Sequence, residues 1–148
     1  MDIMEKATTT IFDEDSQEIE TKLPDEKTRK PYVLWSVQGQ EYKLKLTTGV
    51  IRKLEQGFGK SLLVAVLDEG IPPISTVATL LQAALQKFHH GIKSHTVDEL
   101  LDSYIEDGGT QITLLQDVVY PLMGDAGFFT PAQMDLLKKE LNEVDSAL

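Results

Sequence analysis

The sequence predicts an α+β fold, mainly α: an N-terminal β-hairpin packed on a bundle of about five to six helices. Two observations carry that reading. Between Val33 and Leu46 apolar residues recur at every second position, and from Val50 onward they recur at helical spacing. A third observation sets the boundary, because residues 1–31 hold no sustained period.

That first stretch contains Thr8-Thr9-Thr10, the acidic run Asp13-Glu14-Asp15, Pro24 and Pro31, with Ile11, Phe12, Ile19 and Leu23 as its main large apolar residues. It buries too little surface to offset a chain entropy of roughly 1–2 kcal/mol per residue. Residues 1–31 are therefore expected to form a disordered acidic tail, and residues 32–148 a single helical domain with an N-terminal hairpin. The alternative is a segment that orders on a partner through Ile11 and Phe12.

In the domain, Val33, Trp35 and Val37 alternate with Leu34, Ser36 and Gln38; Gly39 marks a tight turn; Tyr42, Leu44 and Leu46 then alternate with Glu41, Lys43 and Lys45. Such a hairpin is marginal alone and must lay one face on the helices that follow. Thr47 and Thr48 are candidate caps for a helix carrying Val50, Ile51, Leu54 and Phe58, stopped by Gly57 and Gly59. A second short helix is expected over Lys60 to Glu69, with Leu62, Leu63, Val66 and Leu67 inward and Gly70 as its stop, followed by the rigid connector Ile71-Pro72-Pro73.

The strongest helical pattern comes next. With Ser75 as a candidate cap, Val77, Leu80, Leu81, Ala84, Leu85 and Phe88 form one continuous stripe, which predicts the centre of the core. Thr96 and Glu99 have capping-box spacing for a helix running to about Asp107 and stopped by Gly108-Gly109. Thr110 opens another, with Ile112, Leu115, Val118, Val119 and Leu122, in which Pro121 is expected to kink or end the helix. Thr130-Pro131-Ala132-Gln133 starts the last, whose narrow apolar edge is Met134, Leu137, Leu141 and Val144.

Composition removes several classes of function. The chain has no cysteine, so disulfide scaffolds, thiolate catalysis and cysteine zinc sites are excluded. The first residues lack the apolar stretch of a signal peptide, and the longest nearly uncharged window, Ile71 to Gln86, is too short and too polar to cross a bilayer. A soluble, cytoplasmic protein with no membrane partner is expected. Net charge is −10, from 14 basic and 24 acidic residues. Phosphate neutralisation dominates nucleic-acid affinity, so no nucleic-acid partner is expected either.

Four motifs carry potential chemistry. His89, His90 and His95 form the histidine cluster, which with Asp98 or Glu99 offers ligands for a metal-dependent enzyme. Adjacent histidines on a helix diverge by about 100°, so a simpler reading has His89 and His90 favouring the negative end of a helix. The pairs Asp68/Glu69 and Glu106/Asp107 are neighbours in sequence and do not face one another across a cleft as acid–base pairs must. Gly57-Phe58-Gly59-Lys60-Ser61 lacks the spacing of a phosphate loop, because Leu54 stands where glycine is required. Phe128 and Phe129, beside Gly127, either plug the core between the last two helices or serve as an aromatic anchor for a partner.

The run Glu41-Tyr42-Lys43-Leu44-Lys45-Leu46-Thr47-Thr48, the segment Leu85-Gln86-Lys87-Phe88-His89-His90-Gly91-Ile92 and the triplet Gly127-Phe128-Phe129 resemble the small tail assembly chaperones of tailed phages and prophages of Gram-positive bacteria. The resemblance covers about residues 32–130 and is distributed rather than carried by a catalytic motif. It implies a non-enzymatic protein without cofactor that binds the tape measure protein, with tail tube protein as a second client, while the tail assembles in the host cell. Phe128 and Phe129 are the first candidates for protein binding, and His89 and His90 the second. A minor structural component of the tail and a metal-dependent enzyme are the competing expectations.

Overall fold

The computed structural model describes residues 32–68 and 70–147. The expected tail over 1–31 lies outside the described residues.

The fold is the predicted one: a two-stranded antiparallel hairpin followed by six helices. Strands β1 (Val33–Val37) and β2 (Gln40–Leu44) pair with Trp35 opposite Tyr42 and Val33 opposite Leu44. Their two-residue turn places Gln38 at φ 50° and Gly39 at φ 83°, the left-handed pair that matches strand twist. Trp35, Val37, Leu44 and Leu46 are buried, while Glu41 and Lys43 face solvent, as the alternation requires. The Trp35 indole N–H finds no hydrogen-bond partner among the described residues.

Helix α1 (Thr48–Phe58) is capped by the Thr47 hydroxyl, which accepts from the Val50 N–H, and ends on Gly59. Helix α2 (Leu62–Leu67) is shorter than its expected span because Ser61 caps it, its hydroxyl accepting from the Val64 N–H at 3.1 Å. Leu62 and Val66 are buried and Leu67 half-buried, but Leu63, one position round the helix from Leu62, is exposed and not inward as expected. The Glu55 carboxylate also accepts from the Leu62 N–H at 2.8 Å and so ties the end of α1 to the start of α2.

Helix α3 (Ile74–Leu85) buries Val77, Leu80, Leu81, Ala84 and Leu85, the predicted stripe. Phe88 lies beyond the helix, half-buried against Tyr32 with ring centroids 5.7 Å apart. Ser75 does not cap α3: the helix begins directly after Pro73, leaving Ser75 inside its first turn. Helix α4 (Ser94–Glu106) likewise starts ahead of Thr96, whose N–H is bonded to the Lys93 carbonyl at 3.1 Å. The capping box expected between Thr96 and Glu99 is therefore not what opens the helix.

Helix α5 consists of Gln111–Leu114, a π-helical turn at Leu115–Val119, and Tyr120–Asp125. Thr110 and Thr113 cap it reciprocally, side chain to backbone, at 2.9 and 3.1 Å. Pro121 does not end this helix. The π turn just ahead of it, where the Tyr120 N–H reaches back to the Leu115 carbonyl, widens the backbone and so relieves the crowding that a proline ring imposes on the preceding turn.

Helix α6 (Pro131–Ala147) opens with a second reciprocal cap between Thr130 and Gln133. One cluster of buried side chains draws on both strands and all six helices, with α3 and α5 contributing most of it.

Candidate functional site

The histidines separate as soon as their surroundings are considered. The Leu85–Ile92 loop is clasped by two glutamines. Gln86 accepts from the Gly91 N–H at 3.1 Å, and the side-chain amides of Gln82 and Gln86 donate to the Ile92 carbonyl at 3.3 and 3.2 Å. This holds His89 over the hairpin, where its Nε2 accepts from the backbone N–H of Lys43 at 3.1 Å and its ring lies 5.4 Å from Tyr42. Two positions on, the Lys45 N–H donates to the Ala84 carbonyl at 2.9 Å. In an antiparallel pair alternate N–H groups point away from the partner strand, so these two bonds occupy the outward donors of Lys43 and Lys45.

His89 thus closes a sheet edge. His90 and His95 are exposed, the latter on α4. Among the described residues no group of three or more histidine, aspartate or glutamate side chains is placed to hold a metal ion. Of the paired carboxylates, Glu106 and Asp107 are both exposed at the end of α4, and Asp68 is exposed after α2.

Phe128 and Phe129 are both half-buried and pack against the core at the junction of α5 and α6. The Phe129 ring meets buried Tyr120 edge-on, with centroids 6.2 Å apart, and the Phe128 N–H donates to the Met123 carbonyl at 3.0 Å. Burial raises the Tyr120 hydroxyl above its ordinary pKa of 10.0, and the charge of Glu140 adds to the shift. Tyr104 is raised for the same first reason and by the charge of Asp117, against the opposing hydrogen bond to Thr113.

The feature that the sequence left unassigned lies between α1 and α3. Of the four apolar residues on α1, Leu54 is buried, whereas Val50, Ile51 and Phe58 are only half-buried. Val50, Leu54 and Phe58 form one wall of an open apolar valley of about 550 Å³, with Thr79 and Ala83 of α3 opposite and Gln86 at one end. Gly57 and Phe58 also border a continuation of about 310 Å³ that reaches Thr76 and the Pro72-Pro73 connector. The valley exists because the facing positions are small: a Cβ at Gly57 would meet nothing within 4 Å, and Thr79 and Ala83 lie one helical turn apart.

Helical spacing sets Val50 and Phe58 among the apolar positions of α1 and gives no role to Thr79 and Ala83. The available signal was small side chains at i and i+4 on the flank of the α3 stripe. The valley offers apolar surface, one lysine (Lys53) and no converging acid, base or nucleophile among its lining residues. Chemically it can hold a side-chain cluster.

Residues 30–147 match a family of unknown function, DUF6096. The chain belongs to this family. The DUF6096 match takes in the hairpin, the valley, all three histidines and both phenylalanines, so each of these features lies within the family's own span. No curated protein and no solved structure matches the chain.

Proposed function

We propose that the chain is a non-enzymatic assembly chaperone of phage tails. In this reading it binds the tape measure protein, with tail tube protein as a second client, in the cytoplasm of the bacterial host. The observation that carries the binding role is the open apolar valley along α1, where Val50 and Phe58 stay partly accessible beside small residues of α3. Exposed apolar concavities of this kind suit partner side chains. Tail assembly as the setting rests on the resemblance of the Glu41–Thr48, Leu85–Ile92 and Gly127–Phe129 segments to tail assembly chaperones.

The test is co-expression with the tape measure protein of the same phage or prophage. A soluble complex that survives purification is the expected result, together with absence of the chain from purified particles by mass spectrometry. Failure to associate overturns the reading, and stoichiometric presence in the particle replaces it with a structural tail component.

A further inference from the structure

We propose that the valley between α1 and α3 docks an amphipathic helix of a partner protein, one that carries acidic residues along the edge of its apolar face. The inference rests on the reading of the chain as a protein-binding module and names the chemistry of what is bound.

Three observations select this occupant. The first is backbone chemistry. Both walls are helices whose N–H and C=O groups are satisfied internally, and the Gln86 amide at the end of the valley is committed to Gly91 and Ile92. An extended segment entering the valley would find nothing to pair with its backbone, whereas a helix brings its own hydrogen bonds. Along the outer edge of the hairpin, the Lys43 and Lys45 N–H groups, which a strand would otherwise use, are taken by His89 and Ala84.

The second is dimension. Thr76 and Gln86 mark the two ends along α3, a span of roughly 15 Å at the helical rise, so an occupant of about three turns fits.

The third is charge. In a chain of net charge −10, the larger part of the valley is lined by one ionisable side chain, Lys53, which makes no ion pair among the described residues, and its continuation by one charge of each sign, Lys60 and Asp68. Glu55, the nearest carboxylate on α1, is turned away to cap α2. A helix bringing carboxylates to that rim meets opposite charge; one bringing lysines meets repulsion.

The experiment is an NMR titration of the isotopically labelled full-length chain with a synthetic leucine/glutamate amphipathic peptide of about 14 residues, and with its leucine/lysine twin. The glutamate peptide is expected to shift the amides of Val50, Gly57 and Ala83 and to bind about fivefold more tightly than the twin. Lys53→Glu should reverse that preference, and Ala83→Met, by filling the valley, should weaken both peptides about tenfold. Lys53 is exposed and Ala83 half-exposed, so thermal melting will show that both variants remain folded.

Shifts that map elsewhere, or a preference unmoved by Lys53→Glu, overturn the inference. So do valley amides that shift with the chain's own concentration, which would make a second copy the occupant. A tape measure protein that co-purifies equally well with the Ala83→Met chain sinks this proposal and leaves the tail-assembly reading standing. Peptide binding as expected without any association with tape measure protein supports this proposal and removes the other.

Discussion

Lys45 and Asp125, eighty positions apart in sequence, form an ion pair 3.0 Å long between the segment that follows β2 and the end of α5. Their side chains are 25 % and 13 % exposed, so the pair is shielded enough to outlast ordinary salt but is not fully desolvated. Asp125→Ala is expected to lower stability by about 1 kcal/mol, because it leaves the partly shielded Lys45 ammonium without its carboxylate. A double-mutant cycle with Lys45→Met, followed by urea denaturation, checks it. Additive single effects would mean that the contact contributes nothing.

Gly109 and Gly57 should respond oppositely to alanine. A methyl group on Gly109 runs directly into the Tyr104 ring, which is held by Trp35 on one side and by a 2.8 Å hydrogen bond to Thr113 on the other. Gly109→Ala should cost about 1–3 kcal/mol. Gly57 sits inside α1 with open space around its missing Cβ, so Gly57→Ala should stabilise by about 0.5–1 kcal/mol. Melting temperatures that move in the same direction for both variants would contradict the packing described for Tyr104.

His89 is expected to matter through one backbone amide. Only the neutral imidazole offers an acceptor nitrogen, and His89→Ala leaves the Lys43 N–H to water. Faster hydrogen exchange at Lys43 is the expected readout, with a stability loss of about 0.5–1.5 kcal/mol. His90→Ala and His95→Ala, both at exposed positions, should leave that amide unchanged.

The two phenylalanines divide packing from recognition. Phe129→Ala removes the edge-to-face contact with Tyr120 and should lower stability by about 1–3 kcal/mol, less than a fully buried phenylalanine would. A Phe128→Ala, Phe129→Ala chain that keeps its wild-type melting temperature and loses only partner binding would make the pair an anchor instead of a plug.

Alkaline pH should weaken the fold through Tyr104 and Tyr120. Both are raised above 10.0 in the folded state, first by burial. Their contribution is whole below the unfolded value and is lost as pH climbs through the higher folded value, because the unfolded chain gives up those protons first. Denaturation midpoints should therefore fall above about pH 10. A Tyr104→Phe, Tyr120→Phe chain should show a shallower fall.

Much of this architecture is legible in the sequence because local chemistry decides it. The alternation from Val33 to Leu46 fixes which hairpin face is buried, and threonines 47, 110 and 130 cap the helices they precede. Ser75 and Thr96 misled because the backbone ahead of them had already started the helix, at Pro73 and Lys93. Of the candidate binding residues, Phe128 and Phe129 stand out as an aromatic pair beside Gly127 and through the resemblance, whereas nothing in the sequence hints that His89 reaches a strand 46 positions away. The valley was invisible for a more general reason. Periodicity reports which side chains avoid water, whereas Val50 and Phe58 are half-covered only because of where α3 places Thr79 and Ala83.

The π turn in α5 amounts to a change of phase. One additional residue in the turn rotates everything after Val119 by about 100° relative to an uninterrupted α-helix. The rod buries Leu115, Val118 and Val119 within the turn and Tyr120, Leu122 and Met123 after it, a wider face than the stripe of Ile112, Leu115, Val118, Val119 and Leu122 that helical spacing alone predicts. Removing one residue from the turn would leave the composition almost untouched and swing the second set away from the interior, so the placement of Phe128, Phe129 and the whole of α6 depends on a count rather than on any one side chain.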